Sequence, residues 1–248
     1  MTDIAVDVKH LIKIYKGETV PAVNDISFSI DAGSIFGLLG PNGAGKTTTI
    51  SILCGLRRLS AGRVTILGLE LKKQREKAKQ LIGVVPQEIA LYPSLTAFEN
   101  LQYIGNMYGL RGSSLKKKIR EHLEIVGLQD QENNFVENFS GGMKRRINLL
   151  AGILHEPKLL FLDEPTVGVD VQSRNVITEL LHDLNKKGCT IIYTSHLMEE
   201  AQSLCTDIVV IDHGRLIAQG KPKEMIKESG VENLEQLFLQ LTGRKLRD

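Results

Sequence analysis

Tryptophan is absent from this chain of 248 residues, and only 5% of its residues are aromatic. Little is therefore available for a surface that stacks nucleic-acid bases. An excess of one charge is also missing: 31 Lys and Arg against 29 Asp and Glu leave a formal charge of +2. That balance carries no electrostatic footprint for nucleic acid, so none is expected as a partner. Cysteine is scarce. Cys54, Cys189 and Cys205 lie far apart with no CxxC spacing. A sparse, odd count argues against a disulfide scaffold and for reduced, buried thiols in a cytosolic protein. No apolar run approaches the roughly 20 residues of a bilayer span, and residues 1–7 lack the basic-then-apolar pattern of a secretory leader. If the protein acts at a membrane, another chain must supply the spans.

The composition is otherwise that of a globular domain, with 42% hydrophobic and 24% charged residues. The length suits one domain, or two lobes sharing a core. Residues 6–15 and 22–30 alternate near period two and read as strands, broken by Pro21 and Asp31-Ala32-Gly33. Residues 34–39 form a short buried strand, and a helix opens within 45–48. Further strands are expected at 63–67 and 82–85. From 88 to about 156 apolar residues recur three and four apart, as at Leu115, Ile119 and Leu123, which predicts helices. Strands return at 158–162, 190–194 and 207–211, with a helix over 173–185 and a hairpin at His213-Gly214. Strand-helix alternation around a helical insertion predicts a parallel α/β sheet with a side lobe. The basic runs 72–79 and 116–120 read as solvated helix faces, and 230–248 as a short helix with a basic tail.

Gly40-Pro41-Asn42-Gly43-Ala44-Gly45-Lys46-Thr47 matches G-x-x-x-x-G-K-[ST] between a predicted strand and a predicted helix. Glycines let backbone N–H groups converge on phosphate oxygens at the positive end of that helix. Lys46 reaches the β and γ phosphates, and Thr47 offers Mg²⁺ a hydroxyl. Thr48 continues the same turn. Apolar residues 159–162 then lead into Asp163 and Glu164 at a strand's C-terminal end, where ligands collect in open α/β sheets. Asp163 is expected to hold the metal's shell, and Glu164 to face the attacking water. Ser140-Gly141-Gly142 before a helical run makes a second anion-binding helix start.

Phe139-Ser140-Gly141-Gly142-Met143-Lys144-Arg145-Arg146, a short distance before the Asp163-Glu164 strand, resembles the signature of ABC (ATP-binding cassette) ATPases. Gln87 matches that family's Q-loop glutamine, Val167-Gly168-Val169-Asp170 its D-loop, His196 its switch histidine, and Tyr15 its adenine-stacking aromatic. The resemblance runs from about residue 6 to 222, with the motifs in the family's order. It implies a P-loop NTPase (RecA-like) α/β core with a mixed sheet, an N-terminal antiparallel β subdomain and an inserted α-helical subdomain. The expected division is a single ATPase domain over 1–225, its core in 1–87 and 157–225 and its helical subdomain in 88–156, then a C-terminal helix and tail over 226–248.

The resemblance further implies ATP and Mg²⁺ as cofactors, with Thr47, Gln87 and Asp163 on the metal side. Glu164, His196, Gln87 and Lys46 carry the catalysis. In the family, two subunits pair head to tail, as homodimer or heterodimer, and each ATP lies between one subunit's cradle and the other's signature, with Asp170 nearby. A membrane permease is the expected partner, placing the chain on the inner face of the membrane. Leu91, Tyr92 and Phe98 are expected near the permease contact, with lobe core as the alternative for all three and the favoured reading for Phe98. Phe139 and Met143, where many importer ATPases have Leu and Gln, resemble subunits that drive exporters. Val169 replaces the usual D-loop leucine, a small volume change. The alternative class is a soluble ABC ATPase of ribosomes or DNA. Such proteins usually carry two cassettes or a long coiled-coil insertion, and neither is found here.

Overall fold

Strand β3 (Ile35–Leu39) is buried at every position, as a central strand covered on both faces must be. It ends at the glycine-rich loop, and helix α1 (Lys46–Leu53) follows. The structure, a computed structural model, describes residues 3–195 and 197–243.

Two sheets organise the chain. The N-terminal one is antiparallel, in the order β2 (Val23–Asp31), β1 (Ile4–Lys13), β4 (Ala61–Ile66), β5 (Leu69–Glu70). Strand β2 alternates buried and exposed residues, so only one face meets the core. The larger sheet runs β10 (Arg215–Gly220), β9 (Asp207–Asp212), β3, β8 (Thr190–Ser195), β7 (Leu159–Asp163), β6 (Ile82–Val85). Its pairs are parallel except β9–β10, joined by the hairpin at His213-Gly214. The sheet is therefore mixed, in agreement with the expected class. In this register the ends of β3, β7 and β8 lie side by side, which brings the phosphate loop next to Asp163.

The lobe after β6 holds α3 (Ala97–Met107), α4 (Gly112–Ile125) and α5 (Gly141–Ile153), with two 3₁₀ turns, Gln129–Gln131 and Val136–Asn138. Thr96 and Glu99 close a reciprocal capping box at the start of α3, worth about 1 kcal/mol. On α4, Leu115, Ile119 and Leu123 are buried, which is the predicted stripe. One apolar cluster centres on the N-terminal sheet and α1. The other joins the lobe to the opposite face of the large sheet.

Three helices were not anticipated by periodicity. They are α2 (Leu71–Lys79), which coincides with the solvated helix face expected from the basic run 72–79, α7 (Met198–Leu204) and α8 (Pro222–Ser229). Helix α2 is almost wholly polar and kinks at Gln74, while α7 spans only 7 residues. The helix expected over 173–185 runs further as α6 (Val171–Lys186), because Asp170 caps it. The boundary expected at 225 falls inside α8. The last described helix, α9 (Leu234–Thr242), buries Leu234, Leu237 and Phe238 in the main core. All three cysteines are buried free thiols, as expected; burial pushes Cys189 up to about 11 and Cys205 up to about 12, and Cys54 also upward.

Candidate active site

The loop 40–47 carries glycines where a side chain has no room. At Gly45, φ is 104° and a Cβ would lie 2.5 Å from the Ala22 carbonyl oxygen. At Gly40 a Cβ would collide with the Ile211 carbonyl oxygen. The backbone thus folds tightly against β9 and the segment before β2. It leaves the first N–H groups of α1, which lack intrahelical partners, at a cavity of roughly 210 Å³. Ala22, Gln87, Glu164 and residues 42–48 line that cavity, including Asn42, Gly43, Ala44, Lys46, Thr47 and Thr48. Pro41 is buried behind it and contributes its carbonyl.

The Lys46 ammonium donates to the carbonyls of Gly40 at 2.8 Å and Pro41 at 3.1 Å. It has three N–H donors, so one remains for a phosphate oxygen. Burial lowers its pKa, while the Glu164 and Asp163 carboxylates oppose that shift. The Tyr15 hydroxyl lies 3.1 Å from Thr48 Oγ1, and the Lys13 and Arg57 cations lie 5.2 and 5.3 Å from the Tyr15 ring centroid. The ring is thereby tethered beside the cradle.

Asp163 ends β7 directly opposite Thr194 of β8. The Thr194 hydroxyl donates to Asp163 Oδ1 at 2.6 Å and accepts the Glu164 N–H at 3.0 Å. Thr47 Oγ1 donates to Asp163 Oδ2 at 3.4 Å, linking the two halves of the phosphate site. Glu164 has φ of 50°, a left-handed conformation costing a non-glycine residue about 1 kcal/mol or more. That turn places its buried carboxylate on the cavity, where Oε2 accepts from Gln87 Nε2 at 2.8 Å. The Thr47 hydroxyl and Asp163 carboxylate are hard oxygen donors, and their adjacency beside the amide cradle fits Mg²⁺ held with a triphosphate. His196 lies outside the described residues.

The second helix start is separate. Ser140 caps α5, accepting the Met143 N–H at 3.2 Å. Gly141 is exposed, and Gly142 packs so closely that a Cβ would collide with Ser173 Oγ and lie 2.7 Å from Asp170 Oδ2. Asp170 in turn accepts from the Ser173 N–H and hydroxyl, each at 2.9 Å, and these bonds hold its carboxyl below the usual range. The signature and the D-loop are thus one packed unit. None of residues 140–142 is among those lining the phosphate cavity.

Several side chains that position these groups were missed by sequence reasoning. Thr194 is one, since its role appears only once β7 and β8 pair. Asn148 is another: it donates to the Pro86 carbonyl at 3.3 Å and accepts the Ala90 N–H at 3.1 Å, gripping both sides of Gln87. Arg145 is buried and donates to the carbonyls of Gln87 and Val167. Its helical spacing of three from Asn148 was the available signal. Of the residues expected at a permease contact, Leu91 is buried core and Phe98 is half-buried under Arg120, leaving Tyr92 exposed against Tyr103.

Comparison with known proteins agrees with this geometry. The ABC transporter family profile matches residues 23–167. The chain is 51% identical over 229 residues to the linearmycin resistance ATP-binding protein LnrL of Bacillus subtilis (strain 168), covering 92% of this chain and 73% of that protein. It is 43% identical to the Nod factor export ATP-binding protein I of Ralstonia nicotianae, covering 88% and 68% of the two chains. Among solved structures, a dimeric post-hydrolysis state of an ATP-binding cassette bound to ADP and Pi superposes with a TM-score of 0.79 at 26% identity, over 87% of this chain and 98% of that one. By the family profile and the identity with these relatives, the chain belongs to the ABC transporter family as an ATP-binding, ATP-hydrolysing subunit.

Proposed function

We propose that this chain is the motor of an exporter. It pairs with a second ATPase subunit around ATP and drives a separate membrane permease. The observation that carries the pairing is the separation of two anion-binding helix starts, with residues 140–142 outside the cavity that the cradle forms. A second triphosphate-binding helix start in one chain is used when it faces the cradle of another subunit. The solved dimeric cassette with ADP and Pi supports the same arrangement. The names of the linearmycin resistance and Nod factor export proteins favour outward transport.

Mg²⁺ bound with ATP would be held by Thr47 and Asp163, with the amide oxygen of Gln87 facing it, and would neutralise charge on the β and γ phosphates. Lys46 and the amides of 43–48 bind and orient the triphosphate. Tyr15 stacks the adenine. Glu164 orients the attacking water and accepts its proton at the carboxylate, His196 contacts the γ-phosphate, and Ser140 and Gly142 of the second subunit close the cage with Asp170. Such preorganised charge stabilisation supplies roughly 3–4 kcal/mol per donor.

The permease contact is proposed in the cleft between α2 and the lobe. This groove of about 1070 Å³ is lined by Leu56, Lys79, Met107, Tyr108, Leu110 and His155 among others, and Pro86 places it next to the Q-loop. Among the described residues no helix is long and apolar enough to cross a membrane, so the chain would sit on the membrane's inner face through its partner. Pull-down in mild detergent tests this. A multi-span membrane protein should co-purify, and Met107→Glu should release it while leaving ATP turnover intact. Recovery of ribosomal or DNA material instead would favour the soluble class.

A further inference from the structure

Arg145 is 8% exposed, yet among the described residues no carboxylate forms an ion pair with it. Its partners are backbone carbonyls. One guanidinium nitrogen donates to Gln87 O and reaches Pro86 O at 3.5 Å, and the other reaches Val167 O at 3.4 Å. These carbonyls belong to two different loops. Gln87 follows β6, and Val167 lies three residues beyond Glu164. The Gln87 side chain already donates to Glu164 at 2.8 Å. A closed ring results: Glu164 to the Gln87 amide, Gln87 carbonyl to Arg145, Arg145 to the Val167 carbonyl, and the chain back to Glu164. Arg145 itself rides on α5, the helix that starts at Ser140.

Burying a cation carries a desolvation penalty, and an apolar side chain of similar volume would hold the same packing without it. What an apolar residue lacks is the planar fork that ties two loops at a fixed separation. Desolvation lowers the Arg145 pKa, and the nearby Glu164 carboxylate acts against that shift, consistent with the cation and carboxylate sharing one enclosure.

We propose that Arg145 is a positioning residue for hydrolysis: it locks the Q-loop and the loop after Glu164 to the signature helix, so that a shift of that helix resets Gln87 against the carboxylate. The proposal rests on the reading of Glu164 as the water-orienting group. Geometry of this kind governs the rate of the chemical step more than nucleotide affinity, because displacement by about 1 Å costs up to ~100-fold.

The test compares wild type, Arg145→Met, Arg145→Lys and Glu164→Gln for ATP turnover, and for affinity toward a non-hydrolysable ATP analogue by titration. Arg145→Met should lose about 10–100-fold in kcat with analogue affinity held within about threefold. Arg145→Lys, which keeps the charge but cannot span both loops, should recover part of the rate. A folded Arg145→Met protein with wild-type kcat overturns the proposal, as does an equal loss of kcat and affinity in both variants. If Arg145→Met fails to fold, Arg145→Lys decides by the same split: lowered kcat at intact affinity supports, and wild-type kcat overturns. An inactive Glu164→Gln beside an unaffected Arg145→Met removes this proposal alone. Full turnover by Glu164→Gln removes the underlying reading and the proposal with it.

Discussion

Gln87 Nε2 sits 2.8 Å from Glu164 Oε2, so the second residue of the loop into the helical lobe touches the carboxylate proposed to orient water. The contact joins the ends of neighbouring parallel strands β6 and β7. Asn148 and Arg145 hold the backbone on either side of Gln87 to α5. Movement of the lobe therefore reaches the reacting end of the site through hydrogen-bonded backbone, which gives a physical route from ATP chemistry to the groove beside Pro86.

Glu164→Gln should remove the proton acceptor while keeping shape and burial. ATP turnover is expected to fall about 10²–10⁴-fold with ATP affinity unchanged, measured by steady-state phosphate release and by labelled-ATP titration. Turnover within a few-fold of wild type would take Glu164 out of its role.

Lys46→Ala deletes the ammonium that the Gly40 and Pro41 carbonyls hold at the cradle. Charge-assisted hydrogen bonds contribute about 1.5–3 kcal/mol, so ATP affinity should drop roughly 10–100-fold. Fluorescent-nucleotide titration checks this, and unaltered affinity would contradict it.

Asn100 is fully buried and serves the turn before α3. Its Nδ2 donates to the carbonyls of Tyr92, Leu95 and Thr96, and its Oδ1 accepts the Tyr92 N–H at 2.8 Å. Asn100→Ala leaves those groups unpaired in the interior, at a cost of about 2–3 kcal/mol. Urea unfolding should show the midpoint falling at unchanged slope, whereas a loss under 0.5 kcal/mol, roughly the level of a surface substitution, would be inconsistent with it.

His155 stacks on Tyr108 with ring centroids 3.6 Å apart, and its Nε2 lies 3.0 Å from the Ile82 carbonyl oxygen. Burial lowers the pKa of His155, and also that of His122 on α4. A base whose folded pKa is depressed binds fewer protons folded than unfolded. Stability should then be complete above the unfolded value of about 6.5 and decline as pH falls below it. Melting temperature between pH 7.5 and pH 5.5 checks the sign. His155→Phe, which keeps a ring against Tyr108, should flatten the decline; an unchanged pH slope would exclude His155 as a source.

The candidate phosphate site was legible because its demands are local. Glycines, Lys46 and Thr47 sit within one loop, and Asp163-Glu164 close one apolar run. The sheet was legible in its strands but not in its neighbours. Pairing of β7 with β8 is a long-range event, so Thr194 could not be assigned before the register was known. Helix α7 was missed because 7 residues barely complete two turns of periodicity, while α2, with almost no apolar stripe, was legible only as the solvated basic face over 72–79. Arg145 was legible only as part of the signature motif, and its burial appears once α5 packs. The C-terminal segment looked peripheral, yet Phe238 fills the main core. Tyr92 is exposed and Leu91 beside it is packed, since apolar character alone does not distinguish a docking face from a buried one.

If ATP is clasped between the cradle of one ATPase subunit and the Ser140 helix start of another, nucleotide must govern the association of the two subunits. Sedimentation mass of the Glu164→Gln protein, with and without Mg²⁺ and ATP, alone and with its membrane companion, measures it most directly. A stable pair of ATPase subunits is expected only when nucleotide is present, dissolved again by Ser140→Arg. A single-chain mass at saturating ATP under both conditions would contradict it.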